Sequence, residues 1–250
     1  MEDIQEYKFN STYEMADLID GSVRNDVSFW NFNEQDFINC AVKYSKDTLL
    51  HLYIVTTAFN YYHRDFKKNG DCIDEDSIEK WYNLFEEYCI KIKKFNFDEN
   101  IEIITWFDKN YKKFVELFEH MADEVFYVLF SNRGFLLEFN NLVAKTIRED
   151  VVIPSKHLTK KGTIKRMNIS VWVKDSVFHR DKGRCVFCNT DLTRLVNTLT
   201  NSNFDHIVPL DLFGANDPCN IQLSCEHCNK SKTNNAGSTS KKYIPWWSRK

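Results

Sequence analysis

The chain has 250 residues, 43% of them hydrophobic and 15% aromatic, which is the composition of a folded protein with one large core or two smaller ones. No run of about 18 or more uncharged apolar residues is present to suggest a membrane span. The net charge of -3 conceals a division: residues 1–150 carry 17 Lys and Arg against 29 Asp and Glu, net -12, and residues 151–250 carry 16 against 7, net +9. A basic half suits a polyanion, and an acidic half repels the same partner.

In chain order, the N-terminal "MEDIQEYKFN" lacks the basic-then-apolar order of a signal peptide, so a cytoplasmic location is expected. "DTLLHLYIVTTAFNYYHRDF" reads as an amphipathic helix. So does "DEDSIEKWYNLFEEYCIKIKKF", where Ile78, Trp81, Tyr82, Phe85, Cys89 and Ile92 recur at steps of three and four, with Asp76 and Glu79 spaced as a capping box. "KNYKKFVELFEHMADEVFYVLF" gives a further helix, and Asn132-Arg133-Gly134 breaks it from "FLLEFNNLVAKTIRED". The Phe and Tyr on these faces are core residues, and His51, His63 and His120 have no partner at ligand spacing. Residues 1–150 are thus expected to form an acidic α-helical domain. Residues 151–168, with Pro, Gly and basic residues and no clear periodicity, read as a basic linker. Ser170 is then placed to cap a short helix that Gly183 ends.

Two Cys-x-x-Cys pairs follow, Cys185 with Cys188 and Cys225 with Cys228. Two intervening residues let both sulfurs of a pair reach one ion, and two pairs complete the tetrahedral shell of a structural Zn²⁺ with no open position for chemistry. Cys40, Cys72, Cys89 and Cys219 lack such spacing and are read as free thiols or small apolar residues. Between the pairs lies "NFDHIVPL", which sets Asp205 beside His206 in a strand-like run. Neighbours on a strand face opposite ways, so both address one centre only through a bulge or a bend at the strand's end, and Pro209 agrees with pairing that stops there.

Asp205-His206, then Asn220 in "NDPCNIQLSC", then Asn229 directly after the last cysteine, together resemble the HNH endonucleases. The spacing is similar to the HNH domain of RNA-guided CRISPR effector nucleases, and the resemblance covers roughly Ser170 to Asn234. It implies a ββα-metal fold, two strands and a helix around one catalytic ion. The expected fold class is therefore α+β, a mainly helical N-terminal domain followed by a zinc-stabilised HNH domain over 169–250. The residue in the position of the family's final histidine is Asn229, which favours a hard ion.

On this reading His206 is the general base, and Asp205 with the Asn229 amide oxygen holds Mg²⁺ or Mn²⁺. Asn220 would hold the connecting loop and the base's backbone, as the resemblance implies. Lys230 and Lys232, after the start of the last helix, are expected on the nucleic-acid backbone, with Arg180 and Arg184 as further contacts. His179 and His227 are expected to be structural or solvent-facing. In the basic, aromatic tail "KKYIPWWSRK", Trp246 and Trp247 are read as packing back on the domain in preference to stacking on bases. DNA is the default substrate, a protein partner of residues 1–150 and a homodimer enter as expectations, and the layout resembles effector nucleases of restriction and anti-phage systems. Two alternatives stay open at this point: a zinc-ribbon module that grips nucleic acid without cutting it, and an HNH nuclease that cuts RNA such as tRNA.

Overall fold

The computed structural model describes residues 6–29, 32–97, 102–193, 203–232, 236–245 and 247. Its helices are α1 (Thr12–Arg24), α2 (Glu34–Val42), α3 (Leu49–Asn69), α4 (Glu75–Glu87), α5 (Ile103–Lys109), α6 (Tyr111–Leu129), α7 (Arg133–Glu149), α8 (Val171–Arg180) and α9 (Glu226–Ser231). Two three-residue strands, β1 (Phe204–His206) and β2 (Ile221–Leu223), pair antiparallel. The fold class is α+β, with the sheet confined to the C-terminal region. No helix among the described residues is long and apolar enough to cross a membrane.

The chain divides into two compact units, the first of Met1–Ser22, Phe29–Phe32 and Leu50–Val128, the second of Val23–Ser28, Asn33–Leu49 and Leu129–Lys250. The first is an aromatic core. Phe66, Phe85, Phe107, Phe114 and Phe118 are buried, and Phe114 stacks on Phe107 at 4.0 Å and meets Phe85 edge-on at 5.0 Å. Helix α4 starts earlier than the expected capping box: Asp74, not Asp76, accepts the Ser77 amide at 2.9 Å. It also stops earlier. Cys89 takes a left-handed φ of 57°, Ile90 N donates back to Phe85 O and Cys89 N to Glu86 O, so Cys89 and Ile92 fall beyond the helix end. The buried Glu124 carboxylate receives the Lys8 and Phe9 amides and the Thr12 hydroxyl, which satisfies its charge and fixes the start of α1. His51 faces Asp123, His63 faces Asp108, and His120 stacks on Tyr88.

The second unit takes in more than the segment from residue 169. Asn132 caps α7 by accepting Phe135 N, and the buried Asn140 of α7 donates to Cys219 O at 2.9 Å. From the segment containing α2, Ala41 O accepts Asn216 N at 2.9 Å, while Leu49 N donates to Asp217 Oδ2 at 2.8 Å. Residues 151–168, read as a linker, lie within this unit and are folded: Leu158 bridges Ile164, the Thr159 and Thr163 hydroxyls meet at 3.0 Å, Gly162 turns the chain at φ 79°, and Ile164 is 1% exposed. Pro and Gly here shape a tight turn and do not loosen the chain. Helix α8 follows Ser170, whose side chain makes no capping bond. Its apolar face, Val173 and Val177, joins Cys185, Leu192, Phe204, Ile221 and Leu223 in the core beneath the sheet.

Candidate active site and metal centre

The four cysteines converge as their spacing predicts. Cys185, Cys188, Cys225 and Cys228 place their sulfurs within 4.8 Å of one another, and the Cys188–Cys225 separation is 3.7 Å. Four thiolates at about 2.3 Å from a central zinc lie about 3.8 Å apart along each tetrahedral edge, so the cluster fits that ion. Local backbone builds it: Asn189, at φ 60°, turns the first pair, with Asn189 N donating to Cys185 O. Cys225 caps α9, its sulfur accepting Cys228 N. Hydrogen bonds from Thr190 pull the Cys188 thiol down to about 6, while burial pushes Cys185 and Cys228 up. Val186 N donates to Leu223 O, fastening this metal clasp to β2.

Strand register is regular, with Phe204 opposite Leu223, Asp205 opposite Gln222 and His206 opposite Ile221. Of the two arrangements expected at Asp205-His206, a bulge or a bend at the strand's end, no bulge forms: the register is regular and pairing stops at His206, the end of β1. Asp205 is half-buried. Its Oδ2 accepts the Lys232 ammonium at 2.6 Å and Gln222 Nε2 at 3.1 Å, and its other oxygen has no partner among the described residues. Lys232 also donates to the carbonyls of His206 and Ile207. It lies at the C-terminal cap of α9, three residues after Asn229. A carboxylate oxygen and an amide oxygen on neighbouring elements are the donors a hard divalent ion takes, so the residues present suit one.

His206 is 2% exposed, and neither ring nitrogen makes a hydrogen bond. Burial first, then the nearby charges of Arg166 and Lys232, lower its pKa to about 3, so the imidazole is neutral at neutral pH. The Asn216 amide is its polar neighbour, but that group is already engaged by Val42 O, Lys165 O and Met167 N. The backbone that carries the ring is held by Asn220, which is wholly buried. Asn220 Oδ1 accepts Val208 N at 2.8 Å, its Nδ2 donates to Val208 O and Ala215 O at 3.0 Å each, and its own carbonyl accepts Ile207 N at 2.7 Å. The turn closes so tightly that a Cβ on Gly214 would lie 2.1 Å from Val208 O, which permits only glycine there.

Two of the four expected nucleic-acid contacts are corrected. Arg180 is buried, its guanidinium paired with Asp181 at 2.8 and 3.0 Å, donating to Ile221 O at 2.7 Å and lying over the Phe130 ring. Asp181 in turn accepts Leu223 N and faces Arg133, so Arg180 ties α8 to β2 and cannot reach a ligand in this arrangement. Lys232 is 6% exposed and committed to Asp205 and two carbonyls. Arg184, paired with Asp191, and Lys230, paired with Glu226, remain at the surface. His179 and His227 are exposed. In the tail, Tyr243 packs back under the Arg133 guanidinium at 4.3 Å, Trp247 is exposed, and Trp246 lies outside the described residues. Gln222, Asp181 and Asn216 were not singled out from sequence. Only Gln222 left a signal, since it must lie opposite Asp205 once the two strands are paired.

An antiparallel strand pair followed by a short helix, beside four converging sulfurs that suit one metal ion, makes up a ββα arrangement. A family model described as HNH endonuclease matches residues 185–235, the segment that holds both cysteine pairs, β1, β2 and α9. That match supports a nuclease acting on nucleic acid. No solved structure matches the chain.

Proposed function

We propose that the protein is a divalent-metal-dependent endonuclease that hydrolyses phosphodiester bonds, with DNA as substrate. The observation that supports this reading is the match of residues 185–235 to the HNH endonuclease family model, together with the contact from Lys232 at the end of α9 to Asp205 on β1. Asp205, through its unengaged oxygen, and Asn229 would hold Mg²⁺ or Mn²⁺, which when bound supplies positive charge to the phosphate and the leaving oxygen. Lys232 orients the carboxylate through its other oxygen. Asn220 fixes the backbone of the base through the 207–215 loop. His206, kept neutral, has the protonation state needed to take a proton from an attacking water. Its burial requires that the ring be uncovered before it acts, in keeping with an effector whose cutting is released by a partner or signal. The acidic helical residues, net -12 over 1–150, suit such control better than substrate binding. We infer on the same grounds a cytoplasmic restriction or anti-phage role, and a dimer for double-strand cutting.

One observation favours a second reading. A histidine shut away from solvent and without hydrogen bonds is what a zinc module that binds nucleic acid without cutting it would tolerate. Supercoiled plasmid incubated with Mg²⁺ or Mn²⁺, and separately with EDTA, decides between them. The nuclease nicks only with the divalent ion, and His206→Ala loses the activity while keeping one zinc per chain and the parental circular dichroism. Metal-dependent nicking by His206→Ala at the parental rate would remove the base assignment, and no nicking by the parent would leave the binding module.

A further inference from the structure

Five of the eleven residues 156–166 are Lys or Arg, and none is Asp or Glu. All five, Lys156, Lys160, Lys161, Lys165 and Arg166, are exposed, and none makes an ion pair with a described residue. By contrast Arg184 and Lys230, exposed cations expected on nucleic acid, are paired with Asp191 and Glu226. Charges of one sign gathered without a counter-charge repel one another, so the backbone must hold them together. It does so closely. Leu158 bridges Ile164, Thr159 N donates to Thr163 O at 2.8 Å, and Gly162 N donates to Thr159 O at 3.0 Å. At the open end of the turn Lys165 N donates to His157 O at 2.9 Å, and Lys165 Nζ donates to Lys156 O at 2.8 Å. Thr163 and Ile164 are buried beneath, so the turn has an inner side that packs and an outer side that is basic.

The turn is also fixed against its neighbours. Asn216, fully buried, stands in the loop that joins β1 to β2; its Nδ2 donates to Lys165 O at 2.8 Å and its Oδ1 accepts Met167 N at 3.3 Å. The basic turn is thus bonded directly to the strand connection of the ββα arrangement. Unneutralised cations on a rigid mount suit a polyanion. Because the turn is already formed, a ligand that docks on it does not bear the cost of ordering it. Each phosphate that such a cation neutralises releases condensed counterions, which gives affinity that falls with salt and reads no base.

We propose that the turn 156–166 is a docking surface for the sugar-phosphate backbone of duplex DNA, with Lys160 and Lys161, beside Gly162 at its tip, as the principal contacts. The turn lies wholly before residues 185–235, so the substrate is gripped by chain that precedes the HNH-matching segment. Its part is to bind, and it takes none in breaking the bond. The choice of DNA rests on the nuclease reading, and the test keeps the two apart.

Full-length, zinc-loaded protein is titrated into a fluorescein-labelled 30-base-pair duplex without divalent ion over a range of salt, and nicking of supercoiled plasmid is measured separately with Mn²⁺. Lys160→Gln combined with Lys161→Gln is expected to reduce the slope of log affinity against log salt by about 2, about 1 for each lysine, and to raise KM with kcat unchanged. Lys160→Arg combined with Lys161→Arg restores both, because either cation releases a counterion. The same loss of charge in the other compact unit, Lys67→Gln combined with Lys68→Gln, leaves both at the parental value. A slope that the Lys160 and Lys161 variant leaves unchanged, or that the Lys67 and Lys68 variant lowers equally, overturns the proposal. So does a parent that self-associates at low salt through Lys160 and Lys161 while its DNA slope is indifferent to them, which makes an acidic face of a second copy the occupant. If the double variant does not fold, Lys156→Gln is read in its place, with a slope change of about 1. A parent that binds the duplex but never nicks plasmid removes the nuclease reading, and the slope comparison still decides on the turn. A parent that nicks, with a slope the lysine variants do not move, keeps the nuclease and removes the turn.

Discussion

Replacing Asn220 by Ala probes the loop that carries the proposed base. The side chain occupies a site with no solvent exposure and serves three backbone groups: Val208 N–H, Val208 C=O and Ala215 C=O. Alanine leaves all three buried and unpaired. Each such loss costs about 1–3 kcal/mol, so with partial relaxation of the turn the total is about 3–6 kcal/mol. At about 2–4 °C per kcal/mol for a chain of this size, the melting temperature falls by roughly 6–24 °C. The close approach of the chain at Gly214, where a Cβ would lie 2.1 Å from Val208 O and 3.0 Å from Asn220 Nδ2, limits relaxation. Asn220→Asp should fare no better: it keeps an acceptor for Val208 N but turns a buried carboxylate toward two carbonyl oxygens. Thermal melting by circular dichroism, with zinc present throughout, reads the effect. A loss of under about 1 kcal/mol for Asn220→Ala would mean that water reaches these groups, and the wholly buried hub would have to be abandoned.

Burial holds the Asp217 carboxyl up at about 6, against 3.8 for an ordinary side chain. The native state therefore binds more protons than the unfolded chain between those values, and stability falls as pH rises through that window, by about 3 kcal/mol in all. His206, lowered to about 3, acts in the opposite sense and costs stability as pH falls below about 6.5. The Asp217 contribution is isolated by urea denaturation of the parent and Asp217→Asn from pH 4 to pH 7: the parent should lose ground relative to the variant as pH rises, and a constant difference would contradict the shift. Removing metal with 1,10-phenanthroline, or one ligand by Cys228→Ser, should release one zinc per chain and abolish the cooperative melting of the C-terminal region, since binding energy of such sites is folding energy. Retained cooperativity without metal would refute the clasp as the structural centre.

What could be read in advance was local chemistry. A pair of cysteines two residues apart fixes sulfur positions through a few backbone torsions, and Asp205, Asn220 and Asn229 each sit next to a feature, a strand or a cysteine, that announces itself in sequence. Partnership across the chain was not legible. Arg180 looked like a surface cation because nothing nearby in sequence shows that Ile221 O, 41 residues on, and the Phe130 ring will enclose it. Lys232 looked free for the same reason, since its carboxylate partner lies 27 residues earlier. Helix ends depended on torsions that propensity does not specify: Cys89 adopts a left-handed φ that is uncommon without glycine, so the apolar period ran past the true end of α4. Asn216 left no motif at all: it joins Val42 O, Lys165 O and Met167 N from separate stretches, and only the folded chain shows them together.

The second compact unit is stitched from the opening fifty residues as well as from the last hundred and twenty or so, with Ala41 and Leu49 bonded to Asn216 and Asp217. During synthesis those early residues leave the ribosome long before their counterparts exist, and must wait for them. The unit that holds the HNH-matching segment can thus close only after nearly the whole polypeptide has been made, and a nascent or prematurely terminated copy leaves it unfinished. The same threading means that a piece beginning at residue 151 would lose the supports that Asn140, Ala41 and Leu49 supply, and would be a poor stand-in for the intact protein.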